Sequence, residues 1–213
     1  MAAQPALASG PYVVDDAAIT PAGTGQIESW VSLNRGDYLV VFAPATALTS
    51  LPMVEWTLIA DRSRQAGASN SGLSLQSKVQ LRAEPQAVDR VGFALAGAVR
   101  ADAASGRVSN LLAYGAASWL AADGVLLHGN LGWTHDRVAN QSDVYAGARA
   151  ELTVTDNLAA HAEVFAGARS GTGFQAGVRP TILGGAMDLE FIVSHNLGGE
   201  KATWATLGVA VRF

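Results

Sequence analysis

The sequence of 213 residues contains no cysteine. That absence excludes disulfides, thiolate metal sites and cysteine nucleophiles, and it suits an exported chain that must stay unfolded until it reaches its membrane. There is no basic run, and 14 Lys+Arg against 18 Asp+Glu leave a net charge of −4. Nothing in the chain is therefore built to hold nucleic acid, or to be drawn to anionic lipid by charge alone. No stretch approaches the eighteen or so uninterrupted apolar residues of a membrane helix. A charged segment followed by an apolar one is also missing from the start. Met1-Ala2-Ala3-Gln4 reads as an initiator placed before a mature sequence, with a signal peptide expected to have been removed.

What is present is apolar content spread thinly. Hydrophobic residues make up 49% and mean hydropathy is +0.21, while charged residues still reach 15%. Such a chain either folds round a large soluble core or forms a barrel with one face to lipid and one to a polar lumen. Periodicity decides between them. From Thr203 to Phe213 the positions Ala205, Leu207, Val209, Val211 and Phe213 share one parity, and Trp204, Thr206, Gly208, Ala210 and Arg212 the other. The split recurs upstream: Leu189, Phe191 and Val193 against Asp188 and Glu190, and Val164 with Ala166 against Glu163. Further up, Val144 and Ala148 oppose Arg149 and Glu151, and Leu73, Leu75 and Leu81 oppose Gln76, Lys78 and Arg82. Charges keep to one parity.

Turn chemistry falls between these segments at Asn34-Arg35-Gly36, Glu84-Pro85, Asp123-Gly124, Asp156-Asn157 and Gly184-Gly185, as a meander of hairpins requires. The reading is an all-β, transmembrane, antiparallel up-and-down β-barrel of about 12 strands spanning 24–213. It is preceded by an irregular periplasmic or plug-like segment, 1–23, whose Pro5, Pro11 and Pro21 spoil a long strand. A soluble sandwich also alternates. Three features favour the barrel: alanine-rich and valine-rich apolar faces, strands longer than the usual five or six residues, and Trp119 and Trp133 placed toward strand ends as an interfacial girdle. If Phe213 ends at the periplasm, the connections near Gly184, Asp156, Asp123 and Pro85 lie on that side. They are expected to be the shorter set, with an exception at 44–52.

A final strand closing on Phe213 resembles the C-terminal signature by which bacterial outer-membrane barrels are recognised for assembly. Pro11-Tyr12-Val13-Val14-Asp15-Asp16-Ala17, followed by Gly23 and Gln26-Ile27-Glu28, resembles the start of the outer-membrane barrels known as phenol-degradation meta-pathway or transporter-like proteins. Those open with Thr-Asp-Asp-Ala just before the first strand, and here Val14 stands in the threonine position. Lys78, within Leu75-Gln76-Ser77-Lys78-Val79, sits like the strand lysine of that family. The resemblance implies location in the bacterial outer membrane and a barrel architecture, and assigns no substrate.

The lumen parity collects Lys78, Arg82, Arg100, Asp136, Arg149, Glu151, Glu163, Arg169, Arg179, Asp188, Glu190 and Arg212, with Glu55 and Asp61. This set either lines a water-filled pore or pairs across strands and fills the barrel; at twelve strands both are open. His128, His135, His161 and His195 show no recognised ligand spacing, so neither metal nor other cofactor is expected. Ser194 beside His195 points to the opposite face and cannot pair with it, so no enzyme is expected. Asp15-Asp16 reads as a turn whose carboxylates cap backbone N–H groups. The expected function is a small channel or uptake pore for small solutes. The alternative is a closed structural or docking barrel of a cell-envelope complex. Expected partners are outer-membrane lipid, the barrel assembly machinery through the strand ending at Phe213, and a candidate periplasmic or envelope protein.

Overall fold

The computed structural model describes residues 11–168, 171–198 and 202–213. Its strands are β1 (Gly25–Asn34), β2 (Asp37–Ala47), β3 (Val54–Gln65), β4 (Ala68–Arg82), β5 (Val91–Asp102) and β6 (Val108–Ala122). They continue with β7 (Val125–Asp136), β8 (Gln141–Thr155), β9 (Leu158–Gly167), β10 (Gly171–Ile182), β11 (Met187–Asn196) and β12 (Thr203–Arg212). Each strand pairs antiparallel with the next, and β12 pairs back onto β1 to close a barrel of twelve strands. Closure leaves no unpaired edge, the condition for a sheet to stand in hydrocarbon. At the seam Gly25 and Phe213 exchange backbone hydrogen bonds of 2.9 and 3.0 Å. Gly25 lets the Phe213 ring lie over the seam, since a Cβ there would stand 2.8 Å from it.

Successive side chains alternate between the two surfaces. Leu58, Leu75, Leu95, Leu131, Val164 and Leu207 are exposed on the outside. Trp119 and Trp133, also exposed, sit near opposite ends of β6 and β7 and bracket this apolar band, as interfacial aromatics do. The lumen is less uniform than the charge pattern suggests. Trp30, Val41, Ile59, Ala96, Leu112 and Tyr114, all from β1 to β6, form a buried apolar cluster inside the barrel. The inward charges are split between β3 to β5, with Glu55, Asp61, Lys78 and Arg100, and the facing wall from β8 to β12, with Arg149, Glu163, Arg179, Asp188 and Glu190 among others.

Two expectations are corrected. Arg82 does not face the lumen: the pairing of β4 with β5 shifts between Gln80 and Arg82, so Arg82 shares the outward face of Phe93 and pairs with Asp89 near the surface. One extra residue reverses every side chain beyond it. The connections on the side of the chain termini are not the shorter set either. They include the two-residue turns 123–124 and 156–157, but also 83–90 beside the excepted 48–53, and the opposite end has two-residue turns of its own at 35–36 and 66–67. Positive φ at Arg35 (42°), Gly36 (94°), Ala66 (49°) and Gly67 (83°) gives these the hairpin geometry that suits a twisted ladder, available at either end of a barrel.

Facing predicts the cost of inserted charge. Leu207, at the middle of β12 and half exposed outward, should lose about 2–4 kcal/mol on Leu207→Arg. Ala210 faces inward between Glu28 and Asp188 on the flanking strands, so Ala210→Arg should cost less than about 1 kcal/mol. Urea unfolding of the lipid-reconstituted variants measures both, and equal costs would contradict the facing.

Candidate functional site

Residues 11–22 enter from the terminal end and cross the lumen as a strand-free strap touching the wall on β3, β4 and β6 to β11. The strap has no ladder, so each polar backbone group must find a side chain. Thr20 donates from its N–H and Oγ1 to Glu55, both at 2.6 Å. The Ala17 N–H donates to Ser118 Oγ at 2.8 Å, and its carbonyl accepts from Gln80 at 3.1 Å. Asn130 holds Asp15 at both ends, accepting from its N–H at 2.7 Å and donating to its carbonyl at 2.9 Å. The N–H groups of Val13 and Val14 converge on Glu163 at 2.8 and 3.1 Å. Gln175 donates to the Pro11 carbonyl at 3.1 Å, and the Tyr12 hydroxyl donates to Glu190 and lies 3.1 Å from His161 Nδ1.

Charge fixes the middle of the strap. Lys78 Nζ, 1% exposed, stands 2.8 Å from Asp15 and 3.5 Å from Asp16. Asp15 also accepts from the Tyr114 hydroxyl at 2.6 Å. Arg149 stacks over the Tyr12 ring at 4.3 Å and reaches Asp16 at 3.4 Å. Burial pushes the Asp16 carboxyl up, but Lys78 and then Arg149 outweigh it and hold the group below the ordinary carboxylate range. An ammonium as buried as Lys78 is tolerable only because carboxylates come to it; removing one partner of such a pair typically costs about 3–5 kcal/mol.

Packing completes the docking. Val14 is fully buried and occupies the place of a side chain at Gly147, where a Cβ would lie 2.5 Å from Val14 Cγ2. A Cβ at Gly92 would meet the Ala83 carbonyl at 2.7 Å, the Pro85 ring at 3.1 Å and Ala17 at 3.3 Å. Loop 83–90 and the strap thus meet over one glycine at the terminal mouth. Beside the strap a cavity of about 450 Å³ remains, lined by Tyr12, Asp16, Trp30, Arg149, Arg179 and Glu190 among others and extending to Arg212 and Phe213 at the mouth.

Lys78, Arg149, Glu163 and Glu190 therefore meet at one site, and they do so through the strap. Glu163 accepts two backbone N–H groups of the strap in place of a cross-strand base. Three other pairs are wall-to-wall: Arg100 with Asp61 at 2.7 Å, Arg179 with Glu151, and Arg212 with Asp188. Asp136 caps the following turn, accepting from Val138 and Ala139 at 2.8 and 2.9 Å, and lies exposed at the opposite rim. Arg82 is outside the barrel, and Arg169 lies outside the described residues. Asp15-Asp16 does cap, since Asp16 accepts from Ala18 at 3.0 Å, but its larger role is ionic. Tyr12, Tyr114, Ser118 and Asn130 were missed; the only signal for the last three was a polar atom on the inward parity of small-residue strands.

Solved structures similar to this chain are outer-membrane channels. The KdgM porin superposes with a TM-score of 0.68 at 8% identity, covering 88% of this chain and 99% of that one. The NanC porin gives 0.64 at 6%, covering 88% and 98%. The COG4313 outer membrane channel from Pseudomonas putida F1 gives 0.60 at 10%, covering 92% and 97%. At such identities the likeness is one of fold, a small twelve-stranded barrel of outer-membrane type. No curated protein matches the sequence. The model of the family described as "Uncharacterised conserved protein UCP029691" matches residues 1–213, and the chain belongs to that family.

Proposed function

We propose that this protein is a small-solute channel of the bacterial outer membrane, closed in the present state by its own strap. The observation that carries the reading is what fills the lumen. Residues 11–22 occupy the lumen between the small residues Gly92, Ala94, Ala96, Ala98 and Gly147 and larger inward side chains such as Trp30, Tyr114 and Arg149, so the strap adds to the wall side chains a filling that can leave as one segment. The solved channels of this fold lend support, as does the cavity that already reaches the terminal mouth. Within this class the chain is read as kin to the phenol-degradation meta-pathway barrels. The two parts of that resemblance, Asp15-Asp16 and Lys78, lie 62 residues apart for the Asp16 pair and meet as the strap's ionic anchor. Recognition by the assembly machinery through the strand ending at Phe213 belongs to the same reading.

Planar-bilayer recording tests the channel. The chain has no cysteine, so Val14→Cys with Gly147→Cys introduces one defined pair. Val14 Cγ2 is 2.5 Å from a Cβ at 147, which puts the two Cβ atoms within about 4 Å, inside disulfide range. Discrete openings should occur under reducing conditions and vanish on oxidation. Folded protein silent in both states over a range of voltages would instead establish a sealed structural or docking barrel.

Closure should also depend on pH. Burial, and then the Asp16 charge, push the Glu84 carboxyl in loop 83–90 up to about 7 from an ordinary 4.5. The docked state therefore binds this proton more tightly than a state in which the strap has left. A raised carboxyl favours docking below about 4.5 and loses that contribution as pH rises through about 7. Open probability should rise from about pH 4 to about pH 8, the interval spanning both values, and Glu84→Gln should flatten the curve.

A further inference from the structure

We infer that strap release is an exchange of ion pairs: Lys78 passes from Asp15 and Asp16 to Glu55, and Arg149 passes from Asp16 to Glu163. Glu55 lies directly opposite Lys78 in the β3–β4 ladder, and Glu163 directly opposite Arg149 in the β8–β9 ladder. All four are inward-facing and at most 3% exposed. Directly opposed Cβ atoms are about 4.5–5.5 Å apart, within reach of a cross-strand ion pair. In the docked state each glutamate acts on its opposite base through space but is not in ion-pair contact with it. Glu55 accepts two hydrogen bonds from Thr20, and Glu163 accepts the N–H groups of Val13 and Val14. The strap thus inserts itself into two registered acid–base pairs, giving carboxylates to the bases and N–H or O–H donors to the acids.

The consequence is a barrel with two satisfied states. An uncompensated ammonium or guanidinium in the lumen would make release prohibitive, and an uncompensated glutamate would do the same. Collapse of each base onto its opposite acid removes both obstacles at once. Of the remaining docking groups, Ser118, Asn130, Tyr114 and Gln175 are neutral and need only water as a substitute, Glu190 loses the Tyr12 hydroxyl but stays in the field of Arg179, and Arg100, Arg179 and Arg212 keep wall partners that the strap does not touch. Arg149 already holds a buried Nε without a hydrogen-bond partner in the docked state, so its docked pairing is incomplete. The inference rests on the reading of the strap as a removable closure.

Charge reversal tests it in the full chain, with Val14→Cys as a reporter whose labelling by a water-soluble maleimide follows release independently of conductance. Lys78→Glu alone places a carboxylate beside Asp15, Asp16 and Glu55, and should both free the strap and lower the unfolding midpoint. Adding Glu55→Lys rebuilds the cross-strand pair with its signs exchanged while still repelling the strap. The double variant should recover the midpoint, yet label at least about tenfold faster than the protein carrying the reporter alone, the factor set by about 1.4 kcal/mol of lost docking. Its open-state ion selectivity should return to that of the wild-type open state. Midpoint losses that simply add, with no rescue by Glu55→Lys, would overturn the exchange even if the channel conducts. Rescue with fast labelling but no conductance would leave the exchange standing and defeat the channel reading.

Discussion

A backbone in hydrocarbon must satisfy its own polar groups, and the rest of this structure follows from that demand. Closure of β12 onto β1 answers it, and once the sheet is closed the two faces of every strand have different solvents. The outward parity is obliged to be apolar. The inward parity may carry charge, but twelve strands enclose more space than their inward side chains fill when so many are Ala or Gly. The lumen is thus left to be filled by water or by another part of the chain. Residues 11–22 fill it, and because they add no strand they take most of their hydrogen bonds from the wall's side chains and the rest from their own aspartates.

That need explains the composition of the docking surface. A strap in a ladder would bond backbone to backbone and require little of the wall's sequence. A strap without a ladder requires a side-chain oxygen at its N–H groups: Glu55 at Thr20, Ser118 at Ala17, Asn130 at Asp15 and Glu163 at Val13 and Val14. Those acids bring charge into the barrel, and Lys78 and Arg149 offset it. The strap's own aspartates then become the partners that let the bases be buried. Buried pairs of this kind contribute less to net stability than to the choice of one arrangement. Here they fix the register of a segment that has no periodicity to fix it.

The barrel was legible in the sequence because alternation is a local property, readable from Leu73-Leu75 against Gln76-Lys78 or from Phe191 against Glu190 without knowing any partner. Arg82 shows where such reading stops. A single-residue shift after Gln80 has no signature in the alternation itself, and beyond it the parity argument inverts. The apolar cluster of Trp30, Val41 and Leu112 was hidden for the opposite reason, since an apolar residue on the inward parity looks like noise in an alternating pattern. Loop lengths misled because tight turns with positive φ suit any hairpin, whichever end of the barrel it occupies.

The strap was least legible, and the cause is its contact order. Its partners are scattered over eight strands between Glu55 and Glu190, so no window of sequence contains a docking motif. Only Asp15-Asp16 and Lys78 stood out, through resemblance, and the structure joins them at 2.8 Å for the Asp15 pair. Scattered polar partners also distinguish a closure from a core. Apolar packing of the strap rests on three side chains, Tyr12 against Arg149 and His161, Val14 at Gly147 and Ala17 in the interior cluster, beside a larger number of polar contacts. Most of what is lost is hydrogen bonding, and water in a filling lumen replaces it at small net cost. Charges are the exception, because water in a narrow lumen solvates them poorly. Opposing Lys78 with Glu55 and Arg149 with Glu163 supplies the one kind of partner that water does not, which is why the ladder register bears as directly on release as the docking contacts do.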